Sequence, residues 1–115
     1  MKNSKNSVKN FMDNIDKWKS FLGLLGISMK AGKLHIGDGK AADIIRSDKA
    51  DLIILASDAS ENTVKRFLNM GKFRNVKTVS ACDRYMLGNA LGKSFAVVIA
   101  VSDKSLSNEL VKRLP

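Results

Sequence analysis

Two apolar runs constrain this chain more than any other feature. "LIILA", residues 52–56, and "FAVVIAV", residues 95–101, hold no polar residue and show no alternation. A strand with one wet face alternates, so runs apolar at every position belong to strands covered on both sides.

The segments around these runs have helical period. Ile15, Trp18, Phe21, Leu22, Leu25 and Met29 recur at three- and four-residue steps and stop at Ala31-Gly32. A short strand over residues 34–36 leads through Gly37-Asp38-Gly39 into a short helix, "KAADIIRS". Residues 58–71 read as a helix capped by Ser60 or Asn62, with Val64, Phe67 and Leu68 as its stripe and Gly71 as its stop. "VKTVSA" is the next strand. A helix then starts at Asp83 and stops at Gly92, and a last one is capped by Ser102 or Asp103. The order is helix, then strand and helix four times. It predicts an α/β fold: a three-layer α/β/α sandwich whose sheet of about four strands is covered by helices on both faces. Residues 1–12, rich in Lys, Asn and Ser, are expected to form a mobile basic tail, and residues 13–115 a single domain.

Charge narrows the partners. Twenty Lys and Arg face eleven Asp and Glu, for a net charge of +9. Such a domain attracts polyanions, with RNA, DNA and anionic membrane as the candidates. No run approaches the ~20 apolar residues of a membrane span, and the N-terminus lacks the apolar core of a signal peptide. The single cysteine, Cys82, suits a reducing compartment. A cytoplasmic protein without a membrane partner is expected.

The stretch "KLHIGDGKAADIIRS", residues 33–47, is where chemistry concentrates. Gly37-x-Gly39-x-x-Ala42 fits a relaxed dinucleotide fingerprint, with Asp58 about 20 residues on. Against a nucleotide stand the very short preceding strand, a two-turn helix, and the negative Asp38 where pyrophosphate would lie. A purely structural turn needs only positive φ at Gly37 and Gly39, with Asp38 or Gly39 capping the helix. A third reading keeps that turn and enlarges the ligand. Unpaired N–H groups at a helix start, glycines that permit close approach, and Lys40 together suit a nucleic-acid backbone.

Four strings stand out: Ala31-Gly32-Lys33, the Gly37 turn into its helix, "LASDAS" at residues 55–60, and Leu87-Gly88-x-Ala90-x-Gly92. Together they resemble the ribosomal-protein L7Ae/L30e/S12e superfamily, and within it the small bacterial YlxQ-type proteins. The resemblance spans roughly residues 18–110. It implies an α/β/α sandwich that binds RNA, often kink-turns, with no catalytic activity and no cofactor. Carried over by position, it implies RNA contacts at Gly37, Asp38, Gly39, Lys40 and Asp43. Asp58 and Ala59 follow, then the segment with Leu87, Gly88, Gly92, Lys93 and Ser94. Kink-turn binders of the family carry Asn, Glu and Lys where this chain has Gly39, Lys40 and Asp43, and the segment after Gly92 is a few residues shorter here.

The residues themselves add a cationic rim, since Lys30, Lys33, Lys40, Arg84 and Lys93 flank these turns. If four or five met phosphates, log K against log salt would slope at about −4. Trp18, Phe73 and Tyr85 are the aromatic candidates for base stacking, Trp18 being better suited to the core. A further basic run, Lys65, Arg66, Lys72, Arg74 and Lys77, reads as a solvated face.

An enzyme has little to work with. His35 and Cys82 are the only histidine and thiol, and neither ligand type recurs at metal spacing. The expectation is a non-enzymatic monomer that binds structured RNA, ribosomal in the first instance, without metal or cofactor. Proteins of the ribosome or of a transcription complex are further partners. The competing readings are a protein-interaction module on a ribonucleoprotein or transcription complex, and a nucleotide-binding domain.

Overall fold

The computed structural model describes the backbone of residues 2–115 and the side chains of residues 16–115. The elements alternate as their periods require: α1 (Lys2–Lys30), β1 (Leu34–Ile36), α2 (Asp38–Arg46), β2 (Leu52–Leu55), α3 (Glu61–Arg74), β3 (Lys77–Ser80), α4 (Arg84–Ala90), β4 (Val98–Val101) and α5 (Lys104–Lys112). The tail expected over residues 1–12 falls where side chains lie outside the described residues.

The four strands form one mixed sheet in the order β1-β4-β2-β3. β4 is antiparallel to both β1 and β2, and β3 runs parallel to β2. Residues 52–55 and 98–101 of the two apolar runs become the two central strands, buried at every position. Their alternate residues feed two cores. Leu52, Ile54, Ile99 and Val101 meet Phe21, Leu25, Leu87 and Leu110 from α1, α4 and α5 on one face. Ile53, Leu55, Val98 and Ala100 meet Ala41, Ala42, Ile45 and Phe67 from α2 and α3 on the other. Burying each such side chain contributes about 1.5–3 kcal/mol, which explains the absence of polar alternation. The expected three-layer sandwich is the observed one.

Two helix ends differ from expectation. Gly71 does not stop α3, which continues to Arg74 and ends at Asn75 in the left-handed region (φ 57°). Gly71 is buried inside the helix, where an added Cβ would lie 2.6 Å from Thr78 Oγ1 and 2.9 Å from the Val76 carbonyl oxygen. It permits close packing of α3 on β3. The second difference concerns the Gly37 turn, whose glycines do not share one role.

Candidate functional site

Strand direction gathers the candidate turns. With β1, β2 and β3 all running one way and β4 the other, the ends of the first three strands and the start of β4 share one edge of the sheet. Backbone bonds stitch that edge together: Gly37 N–H donates to the Val98 carbonyl at 2.9 Å, Ala56 N–H to Val97 at 2.8 Å, and Ser57 N–H to Cys82 at 3.0 Å. The turns before α2, α3 and α4 and the loop before β4 therefore form one continuous surface.

At its centre is the start of α2. The cap residue is Gly37, at φ 103° and ψ 158°, a conformation essentially reserved for glycine. Neither Asp38 nor Gly39 caps the helix as expected, and Gly39 has no positive φ. Among the described residues, no side chain caps α2. The Gly37 carbonyl accepts from Ala41 N–H at 2.9 Å, while Asp38, Gly39 and Lys40 are exposed with their first-turn N–H groups uncapped. Helix starts concentrate positive potential and unpaired donors, so an anion is favoured here. Asp38 is the counter-example in charge, and Arg66 of α3 pairs with it at 3.4 Å.

Beside this corner lies a depression of about 440 Å³ lined by Met29, Leu34, His35, Ile36, Lys40 and Lys93. Lys40 from α2 and Lys93 from the loop after α4 thus meet across one hollow, although 53 positions separate them in sequence. His35 Nε2 lies 2.8 Å from Ser102 Oγ, which anchors the ring in the wall. Partial burial, and then the charge of Lys40, hold its pKa below the usual 6.5. Asp43 is exposed one turn along α2 from Gly39 and Lys40. Lys33 is not brought to the hollow: its carbonyl accepts from Ser102 N–H at the other end of β1.

Asp58 and Arg84 are tied to each other. The Asp58 carboxylate accepts from the Arg84 backbone N–H at 3.0 Å and from its Nε at 3.1 Å, and Arg84 also donates to the Asp58 carbonyl at 2.8 Å. Desolvation raises the Asp58 pKa somewhat, but the Arg84 hydrogen bonds and charge outweigh it and leave the carboxyl below its ordinary value. The pair clamps the loop before α3 to the start of α4, with Ala59 half-buried behind it.

The Leu87-Gly88 motif is internal. Leu87 is fully buried, so it positions the loop from within rather than presenting apolar surface. Gly88 is buried too, and an added Cβ would strike Phe95 Cα at 2.5 Å. That close approach seats residues 93–95 on α4. Gly92, at φ 68°, turns the chain, and Lys93 and Ser94 are exposed. The apolar group this loop offers to solvent is Phe95, 56% exposed, which reading the run as strand from its first residue concealed.

Of the aromatic candidates, Trp18 is half-buried against the core and packs edge-on to Phe21 at 5.5 Å, and Tyr85 is exposed on α4. Cys82 is buried at the end of β3, and desolvation pushes its thiol up to about 11. Burial thus works against the thiolate that a reactive cysteine needs. No described helix is long and apolar enough to cross a membrane. β1 sits at the sheet's edge, antiparallel to its neighbour, unlike the strand that opens a dinucleotide fold.

Residues 19–111 match the family model described as Ribosomal protein L7Ae/L30e/S12e/Gadd45 family. The chain is 34% identical over 91 residues to "RNA-binding protein YlxQ" of Bacillus subtilis (strain 168), covering 79% of this chain and 91% of that protein. It is 32% identical over 72 residues to "RNA-binding protein YlxQ" of Enterococcus faecium, covering 63% of this chain and 70% of the relative. Among solved structures, a protein of unknown function from Bacillus halodurans C superposes with TM-score 0.79 at 32% identity, covering 81% of this chain and 94% of that one. The Giardia lamblia 15.5kD RNA binding protein superposes with TM-score 0.69 at 19% identity, covering 85% and 84%; it shares the fold.

Proposed function

Because this chain belongs to the Ribosomal protein L7Ae/L30e/S12e/Gadd45 family, we propose that it binds structured RNA, without catalysis, through the uncapped start of α2 and the loop before β4. The observation that carries this reading is the meeting of a bare helix N-terminus with Lys40 and Lys93 around one hollow. Relatives named as RNA-binding proteins supply the ligand class.

The roles follow from position. N–H groups of residues 38–40 and the Lys40 ammonium hold phosphate oxygens, where the helix dipole and the cation act together. Gly37 and Gly39 leave room for a backbone to come close. Lys93 lines the hollow together with Lys40, and Phe95, two residues on, stacks on an unpaired base. Asp58 and Arg84 hold the surface in shape rather than touching RNA, as do Leu87 and Gly88 from beneath. Gly39, Lys40 and Asp43 favour a backbone- and shape-directed mode in which Lys40 meets phosphate. The RNA is ribosomal or kink-turn-like, and the protein acts on it as a cytoplasmic monomer.

The test is affinity for a kink-turn RNA and a simple stem-loop, measured across a range of salt. With Lys40 and Lys93 on phosphates, log K falls against log salt with a slope of about −1.5 to −2. Lys40→Glu weakens binding to all RNAs alike and flattens that slope by about 1. Salt-independent binding, or full affinity in Lys40→Glu, would overturn the assignment.

A further inference from the structure

The far end of the sheet carries surface that the Lys40–Lys93 hollow does not use. Phe73, near the end of α3, is 82% exposed, more than any other large apolar side chain among the described residues. A lone exposed Phe needs no explanation; its surroundings do. The Arg74 guanidinium carbon lies 5.2 Å from the Phe73 ring centroid, and Arg74 also pairs with both carboxylate oxygens of Asp48 at 3.3 Å. The cation beside the ring is thus itself anchored to the turn before β2. Lys72 precedes the ring, and Lys77 follows it, exposed at the first position of β3. Residues 62–77 contain no acid. Neither lysine forms an ion pair among the described residues. β3 is the outer strand of the sheet, so among the described residues no further strand pairs beyond it.

We propose that Phe73, with Lys72 and Lys77, forms a second nucleic-acid contact: a stacking platform for an unpaired base of single-stranded RNA. An aromatic face held among cations matches what single strands require, because every base has a π-face and every linkage a negative charge. A protein partner would also bury a Phe, but interface centres are poor in lysine, whereas uncompensated positive charge attracts a polyanion. The proposal does not rest on the Lys40–Lys93 reading. Lys40 sits at the start of α2, while the Arg74–Asp48 pair ties the Phe73 patch to the turn after its end, and α2 is nine residues or about 14 Å long, so different segments of one RNA can engage both.

The test uses the full chain and a short fluorescein-labelled oligouridine, with a 4-thiouridine version for crosslinking. Wild-type protein binds the oligonucleotide and crosslinks within residues 72–77. Phe73→Ala weakens binding about tenfold, Phe73→Tyr retains it, and Phe73→Leu behaves like Phe73→Ala, because stacking needs a ring. The side chain is exposed, so matched melting curves are expected for all variants. Three results would each overturn the proposal: no binding of oligouridine, Phe73→Leu binding as tightly as wild type, or crosslinks confined to the neighbourhood of Lys40 and Lys93. The second would assign the patch to a polypeptide.

Discussion

Helices α3, α4 and α5 each begin with a side chain folded back onto the backbone, whereas α2 begins with a glycine. Ser60 accepts from Thr63 N–H, Asp83 from Tyr85 and Met86 N–H, and Asp103 from Leu106 N–H. Such caps satisfy donors that a helix start would otherwise leave to water. Gly37 offers no acceptor atom beyond its backbone. The capped helices complete themselves internally, while α2 leaves its donors for something outside the fold. Those donors sit beside two lysines, an arrangement that suits the phosphate contact proposed above.

The comparison can be broken most severely at Gly37. Gly37→Ala forces a side chain into a conformation it does not tolerate, at about 2 kcal/mol of stability. RNA affinity falls by more than the stability loss explains, since the corner itself moves. Chemical denaturation and RNA titration of the same variant measure both. A sharper contrast comes from two aspartates at helix starts. Asp83→Ala removes a cap and lowers stability by about 1 kcal/mol, a fall of roughly 4–8 °C in Tm. Asp38→Ala removes an exposed ion pair and a first-turn charge on the α2 dipole, and costs about 1 kcal/mol or less. It also raises RNA affinity, because a negative charge leaves the corner.

The smallest effect is expected from pH. The folded His35 pKa lies below its unfolded value of 6.5, so the unfolded chain binds more protons in the interval between them. The His35 contribution to stability is therefore fully present above about pH 6.5 and declines as pH falls below it. A small loss in urea midpoint between about pH 7.5 and pH 5.5, smaller in His35→Gln, is the expected result.

The layered fold was legible because burial on both faces leaves a short, unbroken apolar run, set here between segments of helical period. Residues 52–56 and the later part of 95–101 carried it. Strand order was not, since pairing between β1 and β4 depends on contacts far apart in sequence. Gly71 was misread because a glycine needed for close packing looks the same in sequence as one that ends a helix. Lys33 was grouped with the Gly37 turn by proximity along the chain, yet β1 carries the two to opposite ends. The Leu87-Gly88 motif drew attention to the right loop but to its inner side; Phe95, the exposed member, hid at the head of an apolar run. What could not be read at all was the missing cap on α2. Asp38 is a common capping residue, and only the backbone angles show Gly37 taking that place.

The uncapped start of α2 is tested most directly by following backbone amide resonances while a kink-turn RNA is titrated into the protein. The N–H groups of Asp38, Gly39 and Lys40 should shift most, with those of Thr63, Tyr85, Met86 and Leu106, already bonded to their caps, moving little. Unmoved resonances at Gly39 and Lys40 under saturating RNA would contradict the assignment of that corner as the phosphate site.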